Sequence, residues 1–440
     1  MIQNVENARH MVARKIMAPI SVGVLGLLSL CTNVAGQCDP GEMFLDVNPT
    51  YDVGIGPWSV AIGDFDNDSV PDLVIANNAT NNLSVLMGNG DGTFADQVTY
   101  DVGGGPHSIA TLDFDGDGIL DLVTANRFTF NVSVLIGNGD GTFASQVAYN
   151  VGRSPWSVAS DDLDGDGVPD LAVANAQDHS VSVLIGNGNG TFDSQVTYEA
   201  NSPIYVAIRD LDGDNILDLV VPNFDNNDVS VLIGNGDGTF APQVSYGVGS
   251  TPLSVAIADL DGDGVLDLVV ANLVSEDISV LIGIGDGTFA IDVTYIVSDV
   301  VRAAISDLNG DGIPDLVVAH NSIEGYVSVM IGNGDGTFAA GVTHGVGSFP
   351  ISVAIGDLDG DAVPDLAVVN GSSDNMSVLL NQCDFNYCPS DLDGSGSVDT
   401  GDLLALFAQW GTPGSADFDG DGTVNTVDLL ILFANWGPCE

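Results

Sequence analysis

The chain has 440 residues, and its 61 Asp and Glu stand against 7 Lys and Arg, a formal net charge of −54. That deficit of cations excludes the phosphate-neutralising surface on which nucleic-acid binding depends. Its 55 Gly and 18 Pro stay below the roughly 25–30% share that marks low-complexity chains, so a chain that is 45% hydrophobic can bury a folded core.

In chain order, Arg9, Arg14 and Lys15 precede an apolar run from Ile16 to Cys31, and Val34-Ala35-Gly36 offers a small-residue cleavage site. This is the layout of a secretory signal peptide over residues 1–36, with cleavage expected after Gly36. The run is shorter than the roughly 20 residues that a membrane-spanning helix needs, and no later stretch is long enough either. The expectation is a secreted or cell-surface protein with no transmembrane segment. Processing would leave Arg127, Arg153, Arg209 and Arg302 as the only Lys or Arg residues, together with four cysteines. Cys38, Cys383, Cys388 and Cys439 are an even set in an exported chain, which suggests two disulfides with three possible connectivities.

From Asp64 onward one unit recurs. Acidic loops start at Asp64, Asp113, Asp162, Asp210, Asp259, Asp307 and Asp357, in steps of 49, 49, 48, 49, 48 and 50 residues. A period this constant marks one supersecondary unit copied seven times. The copies share a common text in type: Pro-x-Ser-Val-Ala, the loop, Asp-Leu-Val-Val-Ala-Asn, Val-Ser-Val-Leu-Ile-Gly, Gly-Asp-Gly-Thr-Phe and Gln-Val-Thr-Tyr. These are four short β-branched runs split by Gly, Asn and Asp turns, hence four strands. Four strands repeated at this spacing predict an all-β, seven-bladed β-propeller over residues 37–382. The seventh copy lacks its fourth strand, while Phe44 to Tyr51 resembles Phe94 to Tyr100, so the N-terminus is expected to complete the last blade. Cys38 would then meet Cys383 as a clasp, leaving Cys388 with Cys439.

Carboxylates at positions 1, 3, 5 and 9 of a Gly-turned loop converge hard oxygens on one centre, which suits Ca²⁺. The candidate ligands are Asp64, Asp66, Asp68 and Asp72; Asp113, Asp115, Asp117 and Asp121; Asp162, Asp164, Asp166 and Asp170; and Asp210, Asp212, Asp214 and Asp218. The last three copies supply Asp259, Asp261, Asp263 and Asp267; Asp307, Asn309, Asp311 and Asp315; and Asp357, Asp359, Asp361 and Asp365. Asn309 replaces one Asp, and Ser69, Asn215 and Ala362 take the usual Gly position, so these four loops are expected to hold metal more weakly. On these motifs, residues 38 to about 382 resemble the FG-GAP/VCBS repeat family, which includes the integrin α-subunit head. The resemblance implies a seven-bladed propeller with calcium loops between the first two strands of each blade, but no single activity.

From Asp391 two copies lie 26 residues apart. Asp391, Asp393, Ser395, Asp399 and Asp402 in the first, and Asp417, Asp419, Asp421, Asn425 and Asp428 in the second, keep the calcium-loop positions of an EF-hand, with Asp where that loop ends in Glu. Each loop is predicted to run into a helix, with Leu403, Leu406, Phe407 and Trp410 and their counterparts Leu429, Leu432, Phe433 and Trp436 forming a shared core. Residues 383–440 resemble a type I dockerin, and the resemblance implies a small α-helical paired calcium-loop domain and a cohesin-like partner for residues 388–440.

Six residues before each acidic loop stand Trp58, His107, Trp156, Ile204, Leu253, Val301 and Ile351, so aromatics gather on the first three blades. Trp58, His107 and Trp156 are the candidate ligand-binding residues, because flat rings stack on sugars, and Arg153 is close by in sequence. There is no Gly-x-Ser-x-Gly elbow and no His-Glu-x-x-His, and no catalytic residue is assigned. The expected function is a calcium-binding extracellular module for a glycan or protein ligand, tethered through the C-terminal domain; the alternative is a polysaccharide lyase or glycoside hydrolase in a cohesin–dockerin type assembly.

Overall fold

The computed structural model describes residues 40–41, 43–44, 49–290, 293–383, 397–398, 400–411, 416, 423–434 and 437–438. The expected signal peptide and Cys38, Cys388 and Cys439 lie outside them. Seven four-stranded antiparallel sheets are formed, each with its strands in radial order. Blade 1, for example, runs Pro57–Gly63, Asp72–Asn77, Asn82–Leu86 and Val98–Asp101 from the centre outward. The innermost strands of successive blades pack together, and blade 7 packs on blade 1, so the ring is closed.

Burial within a blade explains the sequence pattern. Every residue of the second strand is buried, because neighbouring blades cover both faces of the sheet. The sequence there is a continuous apolar run rather than an alternation. The fourth strand, exposed at the rim, is mostly polar-tolerant.

The predicted closure is present. Blade 7 consists of Pro350–Gly356, Asp365–Asn370 and Asn375–Leu379, and its fourth strand is Thr50–Asp52 from the N-terminal side. Thr50 pairs with Ser377 and Asp52 with Asn375. A bridge from Phe44 to Asn381 reproduces the Gly88–Phe94 bridge of blade 1.

Blades are joined by an aromatic pair at every junction. Tyr100 meets Phe143 edge-on at 5.4 Å, Tyr149 meets Phe192 at 5.4 Å, and Tyr51 meets Phe94 at 5.5 Å. At the junction of blades 6 and 7, His344 stands in for Tyr against Phe44, with ring centroids 5.1 Å apart. Edge-to-face geometry is favoured by the ring quadrupoles. A second joint uses the residue before each third strand, which adopts a left-handed backbone, as at Asn81 and Asp374. The Asn81 side chain accepts the Gly105 N–H of the next blade, and Asp374 accepts the Gly56 N–H across the closure, both at 2.8 Å.

Cys383 is buried in the same apolar cluster as Met43 and Phe44, and the Gln382 N–H donates to the Met43 carbonyl at 2.8 Å. In the C-terminal region, helices Thr400–Ala408 and Thr426–Ala434 share a core of Leu406, Ala416, Val424 and Leu432, with Leu403 and Leu429 against it. Here the sequence expectation is corrected. Phe407, Trp410 and Phe433 are exposed by 40–49%, because residues 403 and 406 take the inward face and residue 407 is turned about 100° away from 406. Among the described residues no helix is long and apolar enough to cross a membrane.

Truncating Phe44 removes a ring that is 3% exposed at the closure. Phe44→Ala is expected to cost about 3–5 kcal/mol, read as a lower urea midpoint at unchanged slope. A midpoint equal to the parent's would show that the N-terminal segment does not hold the ring shut.

Candidate functional site

The acidic loops link the first and second strands of each blade, and strand direction places all seven on one face of the ring. Within them the structure brings three carboxylates together at a time. In blades 1, 2 and 4 the oxygens of positions 1, 3 and 9 (Asp64, Asp66 and Asp72; Asp113, Asp115 and Asp121; Asp210, Asp212 and Asp218) lie within 4.8 Å of one another. In blades 3 and 5 the group is positions 1, 3 and 5, Asp162, Asp164 and Asp166, and Asp259, Asp261 and Asp263. A donor set of carboxylate oxygens alone fits a hard divalent cation.

The four positions are not equivalent. The position-1 carboxylate accepts loop amides, as Asp113 does from Gly116 at 2.7 Å and Gly118 at 2.8 Å. Position 9 does something the sequence did not reveal. Buried Asp72 accepts the Phe65 N–H on one oxygen at 2.9 Å and the Gly88 N–H on the other at 2.8 Å, tying the acidic loop to the turn after the third strand. The same bonds recur at Asp121, Asp170, Asp218, Asp267, Asp315 and Asp365, with Asn381 replacing the Gly at the last. Burial raises the carboxyls of Asp72, Asp121, Asp170, Asp218 and Asp315 to about 6 and that of Asp365 to about 7, outweighing the two amides that favour the charged form. Asp267 is raised by the same cause.

Where Ser69, Asn215 and Ala362 replace Gly, the backbone keeps the left-handed φ of 69°, 66° and 69°. Loop shape therefore survives, at a strain that is greatest for Ala362, whose side chain has no polar group to bond locally. Of the C-terminal candidates, Asp391, Asp393, Ser395, Asp399, Asp417, Asp419 and Asp421 lie outside the described residues, as does the side chain of Asp428. Asp402 is fully buried in the first helix. Asn425 caps the second helix, its Oδ1 accepting the Val427 N–H at 2.9 Å, as an N-cap residue does.

On the opposite face, the starts of the innermost strands converge on the axis. Trp58, His107 and Trp156 come together as predicted: His107 lies 4.2 Å from Trp58 and 4.4 Å from Trp156, and the two indoles are 6.4 Å apart. His107 is 4% exposed, so it is the filling between two half-buried indoles rather than an open contact surface. Its Nδ1–H donates to the Trp156 carbonyl at 3.2 Å, which leaves Nε2 as a buried acceptor with no partner. Burial, with help from Arg127 and Arg302, pushes its pKa well down, so the ring is neutral.

The arginine beside this cluster is not Arg153. That side chain is held by Asp178, Nε to Oδ1 at 2.6 Å. Instead Arg127, from the end of the second strand of blade 2, lies over the Trp156 ring at 4.2 Å. Below the cluster, a cavity of about 460 Å³ follows the axis, lined by the innermost strands and containing Tyr205, Arg209 and Arg302. Sequence reasoning missed these residues, although two of them break the repeat: Tyr205 and Arg302 occupy the position that is Ser59, Ser108, Ser157, Ser254 and Ser352 in the other copies.

The FG-GAP-like repeat family matches the chain over residues 64–124, 125–173, 162–221, 210–270 and 307–368, more than half its length, and the chain belongs to that family. No curated relative matches it. Among solved structures, BBS1N in complex with ARL6DN, soaked with mercury, is 14% identical, with a TM-score of 0.55 over 77% of this chain and 96% of that one. Catalytically inactive virginiamycin B lyase from Staphylococcus aureus with quinupristin is 13% identical, with a TM-score of 0.52 over 77% of this chain and 98% of that one. At such identities the likeness shows the fold alone.

Two outcomes follow from the loops. The position-9 aspartates have folded pKa values above the unfolded value near 4, so without metal their contribution to stability is full below about pH 4 and is lost as pH rises through about 6 to 7. In EDTA the melting temperature is therefore expected to fall from about pH 5 to pH 8; a flat profile contradicts the burial argument. Ala362→Gly should relieve left-handed strain and stabilise the protein by up to about 1 kcal/mol, measured by urea unfolding, and a loss of stability would refute it.

Proposed function

We propose that this chain is an exported, calcium-stabilised propeller that acts as a binding module for a glycan or protein ligand, tethered through its C-terminal domain. The observation that carries the binding role is the axial cluster of Trp58, His107 and Trp156 on the face away from the acidic loops. Two half-buried indoles at the mouth of an axial cavity present flat apolar surface where the ring converges, and such surface stacks on sugar rings or apolar side chains. Propellers of this build carry either kind of guest, a protein in the BBS1N–ARL6DN complex and a small molecule in the lyase with quinupristin.

Calcium would be held by the position 1, 3, 5 and 9 side chains of each loop, supplying the positive charge that the crowded carboxylates lack. Its role would be structural, fixing the first turn of every blade. The packing of Met43 and Phe44 beside Cys383 supports a Cys38–Cys383 clasp, with Cys388 paired to Cys439. Tethering rests on the paired helices, whose exposed Leu404 and Phe407, and Leu430 and Phe433, form matching apolar stripes 26 residues apart. Such stripes suit a cohesin-like receptor.

The test is incubation of the full chain in millimolar calcium with insoluble polysaccharides, assaying depletion from solution and release of sugar ends or unsaturated products. Depletion without products, reduced at least ten-fold by Trp58→Ala or Trp156→Ala, is the expected result. Product release would replace the binding module with an enzyme, and retention unaffected by both substitutions would remove the aromatic mouth as the site. Excess EDTA should lower the melting temperature by RT ln(1 + [L]/Kd) per site converted through the unfolding entropy; an unchanged melt would end the calcium assignment.

A further inference from the structure

After signal removal the chain holds four cations, Arg127, Arg153, Arg209 and Arg302, in a background of 60 acids. Among the described residues, Arg153 is the one arginine with a carboxylate partner, at Asp178. Arg209 and Arg302 line the axial cavity, and Arg127 lies over the Trp156 ring at 4.2 Å. The cavity wall contains no Asp or Glu at all, while hydroxyls of Ser59, Ser108 and Ser352 are among its lining groups.

Tyr205 and Arg302 mark the wall as built rather than filled. At their position three of the serines staple one innermost strand to the next: Ser108 Oγ accepts the Val158 N–H at 3.3 Å, Ser157 Oγ the Val206 N–H at 3.4 Å, and Ser254 Oγ the Ala303 N–H at 3.2 Å. Blades 4 and 6 give up that staple for two large side chains, and the Arg302 guanidinium lies over the Tyr205 ring at 4.9 Å. Stacking fixes the guanidinium plane and leaves its edge available. Arg302 Nε is buried and without a partner, as is the acceptor Nε2 of His107, a side chain more than nine-tenths buried that is close enough to feel both Arg127 and Arg302. A cavity lined by one sign of charge in low-dielectric walls concentrates ions of the other sign.

We infer that the axial cavity binds a small hydroxylated carboxylic acid, its carboxylate on Arg302 with Arg127 guarding the entrance, and its hydroxyls meeting the serine hydroxyls and the free His107 acceptor. A guanidinium with an unmet N–H suits a carboxylate, and the unmet His107 Nε2 acceptor needs a donor such as a hydroxyl, which a bare inorganic anion lacks. The inference rests on the reading of the propeller as a binding module and names the chemistry of the ligand group that enters the channel.

The test is isothermal titration calorimetry of the full chain in millimolar calcium with D-glucuronate, its methyl ester, D-glucose and sodium sulfate. Glucuronate is expected to bind at least ten-fold more tightly than the ester, glucose or sulfate. Arg302→Gln and Arg127→Gln should each weaken it at least ten-fold, while Arg153→Gln, with the same change in net charge, should shift it less than two-fold. Arg302→Lys keeps the charge and guards against misfolding of Arg302→Gln. Equal binding of the ester or glucose, equal binding of sulfate, absence of glucuronate binding, or indifference to Arg302 and Arg127 would each overturn the inference. Polysaccharide depletion that persists in Arg302→Gln would leave the binding module standing while removing the channel, so the two readings fail separately.

Discussion

Each blade of this propeller is organised around one buried aspartate with both oxygens in use. Asp72 and its six counterparts accept one amide from the acidic loop and one from the turn after the third strand. A buried carboxylate is costly unless it is hydrogen-bonded, and here the two amides come from segments 7 and 16 residues away. The group therefore fixes the separation of two turns on one face of the ring. The same burial raises its carboxyl to about 6 against the pull of the two amides, so the lock sits on a group that titrates well above an ordinary carboxylate.

The ring is then assembled from identical joints. An edge-to-face aromatic pair recurs at every junction, and the N-terminal segment supplies Phe44 and Tyr51 to the joints that the seventh copy lacks. Closure by a segment distant in sequence places a strand where an open edge would otherwise be, which is the usual hazard of a sheet. It also explains why His344 departs from Tyr without consequence: it still offers a ring to Phe44.

Charge is sorted by face and by radius. Acids crowd the loops on one face, whereas Arg209 and Arg302 line the axis on innermost strands and Arg127 lies over Trp156 beside it. The aromatic cluster lies on this axis at the other face, away from the acidic loops.

The period of the acidic loops, the four runs per copy and the missing strand of the last copy were enough to specify a seven-bladed ring and the segment that closes it, because repetition makes each local pattern confirm the others. The gathering of Trp58, His107 and Trp156 was legible for the same reason: equivalent positions in successive blades must converge near the axis. What the sequence by itself could not determine was contact between non-equivalent positions. Arg127 rather than Arg153 lies on Trp156, since reach depends on which guanidinium a local carboxylate captures. Tyr205 and Arg302 meet across blade 5, and position 9 spends its oxygens on amides, because both depend on where the chain returns in space. In the C-terminal helices, likewise, periodicity marked Phe407 and Trp410 as apolar, but only packing decided that Leu403 and Leu406 take the interior and leave the aromatics outside.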